Sequence, residues 1–299
     1  MVNACKPKNE APNIVFEEEV LNRVDNGHLG HKNLSDYGFF TGFLVDLVPA
    51  KNVHPYELNT PLFSDYAQKK RFIYLPEGSI IEYHPTEVFD FPVGTVLIKN
   101  FYYDDAQLIN QKGRIIETRL LIKKAREWQA LPYIWNSEQT DAILEITGGA
   151  QEISLLGKKL IHYQIPNMGQ CKGCHQRNGT LQPIGPTARQ LNRNHLDDGG
   201  KSINQLRRLS RLGLLSVSEK EAFPKFSVWN DPKTGSLDER ARAYLEMNCA
   251  HCHRKEGPAK NSGLYLMSTS NSRHALGIMK APVAAGSGSG QLAYDIVPG

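Results

Sequence analysis

Four of the five cysteines in this chain fall into two Cys-x-x-Cys pairs, and a histidine follows each pair directly. The first motif is Cys171-Lys-Gly-Cys174-His175 and the second motif is Cys249-Ala-His-Cys252-His253. Histidine makes up 10 of the 299 residues, so chance would place it after both pairs about once in nine hundred chains. The pattern is the attachment motif of c-type haem.

The spacing within each motif suits the chemistry of haem attachment. Two thiols three positions apart can form thioether bonds with the two vinyl groups of one porphyrin, and the adjacent imidazole then lies under the iron. The sequence therefore predicts two covalent haem c groups. The covalent anchors would be Cys171, Cys174, Cys249 and Cys252, and the proximal iron ligands would be His175 and His253.

Two other chemistries use paired cysteines and remain open at this point. Two knuckles brought together by the fold could make a four-cysteine zinc site, in which case both histidines would be coincidental. A redox-active Cys-x-x-Cys pair is the other alternative, although neither pair lies in a pattern typical of a thioredoxin βαβ unit. The doubled histidine favours haem over both.

Composition excludes several classes of protein. Lys plus Arg number 35 against 31 for Asp plus Glu, a net charge of +4 over 299 residues, which is not the charge of a nucleic-acid-binding protein. The sequence contains no run of 18 apolar residues, so it predicts no transmembrane helix. Five cysteines are too few for a disulfide scaffold, whereas 40% hydrophobic residues suffice for a packed core.

Covalent haem implies export, because most bacterial systems attach it outside the cytoplasm. The chain opens Met1-Val-Asn-Ala-Cys5 without a basic and apolar signal segment. This opening resembles the end of a lipoprotein signal peptide, so Cys5 is predicted to carry a lipid anchor; a free thiol in a disordered terminus is the alternative. The expected location is the periplasm, or the outer membrane as a lipoprotein, with exported redox proteins as partners.

The pattern divides the chain into four segments. Residues 1–33 form a polar tether in which Ile14 to Val24 could be helical. Residues 34–166 carry short β-branched and aromatic runs separated by turn residues, which predicts an antiparallel β-sandwich with Trp128 and Trp135 in its core or at its edge. Residues 167–235 form the first haem segment, and residues 236–299 form the second.

The second half is predicted to be helical. Leucines at three-residue intervals favour a helix over Asn204 to Leu215. A second helix is predicted over Leu237 to Cys249, with Ser236 as N-cap and Glu239 completing a capping box. The fold class expected from the whole pattern is multidomain α+β, an N-terminal β-sandwich followed by α-helical cytochrome c-like haem segments.

Longer stretches resemble known families. Met247–Pro258 and Ser262–Leu266 are similar to a class I cytochrome c domain, and Gly185-Pro186 is similar to the turn after its proximal histidine. From about residue 34 onward the chain resembles an uncharacterised family of exported bacterial dihaem c-type cytochromes, which implies two haems and export. The stretches that carry this resemblance are Pro55–Ala67, Phe91–Lys99, Leu131–Asn136, and Pro183–Pro186 with Leu191–Arg193. Members of that family continue past residue 299, so the second domain is expected to be truncated at its C-terminus.

The sixth ligand of each iron decides between functions. Opposite His253, Met267 and Met279 are candidates, as is a residue beyond Gly299; opposite His175, the candidates are His195 and an open position. Two six-coordinate haems would suit electron transfer, which is the leading hypothesis, whereas one open haem would suit a dihaem peroxidase or other oxidoreductase. A non-redox zinc-binding protein is the third hypothesis.

Overall fold

The computed structural model describes residues 29–109, 111–157, 160–196, 200–218, 220–283 and 292–296. Up to residue 165 the described chain consists mainly of strands, as its β-branched and aromatic runs predict. These strands are β1 (Phe40–Thr41), β2 (Val48–Pro49), β3 (Val53–Tyr56), β4 (Gln68–Tyr74), β5 (Ile81–Glu82), β6 (Val96–Tyr103), β7 (Arg114–Lys123), β8 (Trp128–Trp135), β9 (Ala142–Leu144), β10 (Gly149–Ser154) and β11 (Leu160–Ile165).

A six-stranded antiparallel sheet of order β3-β4-β6-β7-β8-β9 forms the centre of the molecule. Most neighbouring strands follow one another in sequence. The shortest connection is the turn between β7 and β8, in which the Lys124 N–H donates to the Glu127 carbonyl at 2.8 Å. Strands β10 and β11 form a separate antiparallel hairpin. This architecture is compatible with the β-sandwich expected over residues 34–166.

The two faces of the sheet bury different parts of the chain. The N-terminal face, which includes Phe72, Ile98 and Leu120, is covered by Leu34, Tyr37, Phe39 and Leu47 of the segment that precedes β3. The motif face, which includes Ile73, Leu97 and Ala130, packs against Cys171, Leu181 and Met247. Alternation along the strands produces both surfaces, because successive side chains point to opposite sides of a sheet.

Both tryptophans of β8 lie in the core, which confirms the prediction. Trp128 is 6% exposed on the motif face and Trp135 is 5% exposed on the N-terminal face. The Trp135 indole N–H donates to the Thr118 hydroxyl at 2.9 Å, so the one polar atom of the ring is satisfied inside the core.

The prediction of α-helical, cytochrome c-like haem segments after residue 167 is wrong. The described residues there form four helices, of which only one exceeds eight residues, and several short strands. The helices are α1 (Met168–His175), α2 (Ala188–Leu191), α3 (Gln205–Arg211) and α4 (Leu237–Asn248), and the strands are β12 (Gln176–Arg177), β13 (Thr180–Leu181), β14 (Asn194–Leu196), β15 (Ser202–Asn204) and β16 (Leu215–Ser216).

Two physical reasons account for the short helices after residue 167. Turn residues interrupt the helices, and parts of this region pair as strands, one of them with the β-rich first half of the chain. Strands β12 and β13, and β14 and β15, form antiparallel hairpins. Strand β16 pairs in parallel with β5, which places a strand after the first motif beside one from the first half of the chain. Between His253 and residue 283 the described backbone contains turns and a single 3-10 turn at Lys260–Ser262, but no α-helix.

The two helices predicted individually have different outcomes. Helix α4 and the Ser236–Glu239 capping box are confirmed, although the helix ends at Asn248. Helix α3 begins after Asn204, whose side chain caps it, but is shorter than predicted because Gly213 adopts a positive φ of 70° and the chain then enters β16.

Two predictions concern residues outside the described part of the chain, namely the lipid anchor at Cys5 and the helix over Ile14 to Val24. Among the described residues, no helix has both the length and the apolar character needed to cross a bilayer.

Replacing a fully buried residue of the sheet tests the core. Ile98 is 0% exposed, so we expect Ile98→Ala to lower the free energy of unfolding by about 2–5 kcal/mol through lost burial and the remaining cavity. Urea denaturation of the purified protein measures the change. Ile80→Ala, at a side chain 49% exposed, is the control, and equal stability of the two variants would contradict the assignment of the core.

Candidate haem attachment sites

The first motif lies on α1, directly after the last strand of the β-rich part. Asn167 caps this helix: its side chain accepts from the Gln170 N–H at 2.8 Å, while the Gln170 side chain accepts from the Asn167 N–H at 2.9 Å. Positions i and i+3 lie on one side of a helix. The Cys171 and Cys174 thiols therefore share a side of α1, the former buried against the sheet and the latter exposed.

The His175 imidazole is held in one orientation by the backbone. Its Nδ1 lies 2.8 Å from the Gln182 carbonyl oxygen, which only accepts, so Nδ1 carries the proton and Nε2 keeps a free lone pair. Hairpin β12–β13 brings Gln182 to this position, and the Gln182 N–H donates back to the His175 carbonyl at 2.8 Å. Burial lowers the pKa of His175 to about 4, so the ring is neutral and able to ligate a metal at neutral pH.

A cleft of about 1040 Å³, including the space at its mouth, lies between the first motif and the motif face of the sheet. Its floor is largely apolar and includes Leu97, Leu121 and Ala130, while Cys171 and His175 form part of its wall. A largely apolar lining with a few polar groups is typical of cofactor sites. The lining of the cleft therefore suits a porphyrin attached to the first motif.

The second motif follows α4 and is folded into tight turns. The Cys252 and His253 N–H groups both donate to the Cys249 carbonyl, at 3.1 and 2.9 Å. Gly257 allows the next turn to close, because a Cβ at that position would lie 2.3 Å from the Cys252 carbonyl oxygen. Both cysteines of this motif are partly buried.

The His253 imidazole has the same tautomer as His175, for a different reason. Its Nδ1 lies 3.0 Å from the Ser262 hydroxyl oxygen. That hydroxyl donates its own proton to the Ala259 carbonyl at 2.7 Å, so it accepts from Nδ1–H of His253. In both motifs, therefore, Nδ1 is used by the protein and the Nε2 lone pair is left for a metal.

The two motifs lie side by side. His251, inside the second motif, lines the cleft together with Cys174 and His175 of the first. The Asn178 N–H donates to the Glu256 carbonyl at 2.9 Å, which joins the loops that follow the two motifs.

A shared carboxylate makes a second connection between these loops. Glu87 accepts from Arg177 at 2.7 Å and lies 3.5 Å from Arg254, so it bridges one cation from each loop. Burial of Glu87 acts to raise the pKa of its carboxyl, but the two arginines outweigh it and hold that pKa below its usual value. The carboxylate therefore stays ionised and bridges both arginines at neutral pH.

The structure places the candidates for a sixth ligand at three different locations. Met267 lines a cleft with His175 of the first motif, together with Met247. Met279 is 49% exposed, and His195 lies on the short hairpin strand β14. His251 was missed by the sequence analysis; the signal was an additional histidine between the second pair of cysteines.

The zinc alternative gains no support from the positions of the cysteines. Among the described residues, which include all four motif cysteines, no three His, Cys, Asp or Glu side chains are gathered in a way that could hold a metal ion. A four-cysteine site requires its ligands in a tetrahedron around one ion.

Comparison of the chain with protein-family models, with curated proteins and with solved structures finds no match. The functional assignment therefore depends on the residues and contacts described above.

Two glycines in the motif regions provide a matched test of the second site. The Cβ of Gly257→Ala would overlap the Cys252 carbonyl, so we expect this variant to lose about 1–3 kcal/mol of unfolding free energy through overpacking. A Cβ at Gly173, within the first motif, meets nothing within 4 Å, so Gly173→Ala should be neutral or slightly stabilising. Denaturation curves that do not differ between the two variants would refute the close approach at Gly257.

Proposed function

We propose that this protein is an exported dihaem c-type cytochrome that transfers electrons between redox partners. One haem would be held by Cys171, Cys174 and His175, and the other by Cys249, Cys252 and His253. The observation that carries the proposal is shared by the two motifs: the Nδ1 of each histidine is bound to an oxygen acceptor, at 2.8 and 3.0 Å, so that Nε2 is available to an iron.

The protein's own contribution would be attachment, orientation and burial. When bound, haem iron supplies a one-electron ferric–ferrous couple. The cysteines would hold each porphyrin covalently, and the oxygen acceptors of Gln182 and Ser262 orient the two imidazoles. The apolar side chains of the cleft would shield part of the first haem from water, and the apolar shell around a metal site controls the access of solvent to it.

The closeness of the motifs supports a relay rather than two independent carriers. His251 of the second motif borders the cleft of the first, and the bridge from Arg177 through Glu87 to Arg254 fixes the two loops relative to each other. A fixed separation between two redox centres keeps the path for an electron constant.

Export belongs to the proposal because haem is attached to such motifs outside the cytoplasm in most bacterial systems. The resemblance to exported bacterial dihaem cytochromes agrees with it, as does the lipid anchor suggested for Cys5. In this setting the partners would be other exported redox proteins, reached from the periplasm or from the outer membrane.

Removing one cysteine pair at a time tests the proposal directly. We expect protein matured in a periplasm to carry two haem masses, and Cys171→Ala/Cys174→Ala and Cys249→Ala/Cys252→Ala to carry one each, because thioether bonds survive denaturation. Mass spectrometry and a haem-stained denaturing gel measure this. Four free thiols in the exported protein would overturn the proposal, and bound zinc in their place would support a non-redox protein.

Spin state decides between an electron carrier and an enzyme. We expect the oxidised protein to show two low-spin ferric haems, because a six-coordinate iron exchanges electrons without binding a substrate. Electron paramagnetic resonance of the as-purified protein measures this. One high-spin haem that binds cyanide and reacts with peroxide would assign the protein to the dihaem oxidoreductases instead.

The Ser262 hydroxyl offers a graded test of the second site. A hydrogen-bond acceptor at Nδ1–H makes the imidazole a stronger electron donor to iron, which stabilises the ferric state. Because Ser262→Ala removes this acceptor, we expect the variant to raise the midpoint potential of the second haem. Ser262→Thr keeps the hydroxyl and should leave the potential near its original value. Redox titration of both variants, with the first haem as internal reference, makes the measurement; equal potentials would show that the hydroxyl does not act on the iron.

A further inference from the structure

Three cationic side chains stand in one row across the motif face of the sheet. Arg71 on β4 is the register partner of Lys99 on β6, and Lys99 is the register partner of Arg119 on β7. Directly opposed residues project to the same face of a sheet. All three line the cleft beside the first motif, so we call them the cationic row.

Apolar side chains lie along one side of the cationic row. On the side nearer the turn between β7 and β8, the adjacent row consists of Ile73, Leu97 and Leu121. On the other flank the sheet carries Lys69, Phe101 and Glu117. Like charges directly opposite each other on a sheet are destabilising, so this arrangement requires compensation.

Carboxylates of the protein compensate only part of the row. Glu117 binds Arg119 through two hydrogen bonds of 2.8 and 2.5 Å. Glu57 is paired with Arg193 at 2.8 Å and makes no ion pair with Arg71. Of the three cations in the row, only Arg119 therefore has a carboxylate bound to it among the described residues.

The other two cations lack an anionic partner within the described structure. Arg71 is 7% exposed, and its Nη2 is buried without a hydrogen-bond acceptor. The Lys99 ammonium lies 4.7 Å from the centre of the Phe101 ring. Burial, together with Arg71 and Arg119, lowers the pKa of Lys99, and burial lowers the pKa of Lys69 to about 8. Unpaired buried charge is costly, so the site suits an anion that enters through the cleft.

The direction of the row matches one particular anion. Arg119 is the end nearest the first motif, because α1 packs against β8, the strand next to β7 in the sheet. Strands lie about 4.8 Å apart, so Arg71 is about 10 Å further from that end. A porphyrin bound by thioethers along one edge carries its two carboxylates on the opposite edge.

We propose that Arg71 and Lys99 bind the propionate carboxylates of the haem attached to Cys171 and Cys174. This inference rests on the proposed function. Arg71 offers the planar fork that binds a carboxylate through two hydrogen bonds, and Lys99 offers a point charge one strand away. Arg119 is already bound by Glu117, so the propionates are assigned to the other two cations of the row.

Resonance Raman spectroscopy of the haem-loaded protein tests the contact, because propionate bending modes respond to hydrogen bonding. Arg71→Met and Lys99→Met are expected to shift these modes in the first haem and to lower its midpoint potential, while Arg71→Lys recovers part of both. Lys70→Met is the matched control: this lysine is exposed on the opposite face of β4, and its loss should change neither readout. The first haem is the one that remains in Cys249→Ala/Cys252→Ala.

Each outcome of this experiment is decisive for the row. Propionate modes in Arg71→Met and Lys99→Met that equal those of Lys70→Met would overturn the inference, although both haems remained attached. Saturable stabilisation of the wild-type protein by inorganic phosphate, lost in Arg71→Met with unchanged propionate modes, would assign the row to a free anion and overturn it as well. Absence of covalent haem from the wild-type protein is a different result, which refutes the proposed function itself.

Discussion

One hydrophobic core joins the motif face of the sheet to both motif regions, and the rest of the structure depends on it. Ile73, Leu97 and Ala130 of the sheet share this core with Cys171 at the first motif and Met247 just before the second. Because apolar burial is the main stabilising term in folding, neither motif region has to form a core of its own. Short helices and two-residue strands suffice there, since the sheet supplies the surface on which they pack.

The sequence predictions that were confirmed are those that depend on local patterns. Local signals decided the strands, the burial of Trp128 and Trp135, and the Ser236–Glu239 capping box, since each depends on neighbours in the sequence. The prediction of helical segments around the two motifs was wrong because a Cys-x-x-Cys-His motif constrains only five residues and leaves the surrounding fold open. The parallel pairing of β16 with β5 is a long-range contact that no periodicity indicates.

The candidate sites were likewise predictable only where they depend on local sequence. Spacing identified the six motif residues, but the acceptors Gln182 and Ser262 and the bridging Glu87 became apparent only when turns and ion pairs were placed. The cationic row is the clearest case. Arg71, Lys99 and Arg119 lie on three different strands, and only the register of the sheet brings them together.

The unequal exposure of the first two thiols has a consequence for assembly. Cys174 is open to solvent, whereas Cys171 is 8% exposed between α1 and the sheet, and burial raises the pKa of its thiol, which keeps it protonated and unreactive. An enzyme that modifies these thiols therefore has less access to Cys171 than to Cys174. If the first motif carries haem, ligation is easier before α1 docks on the sheet, and the prosthetic group would then be a template around which the last stage of folding proceeds.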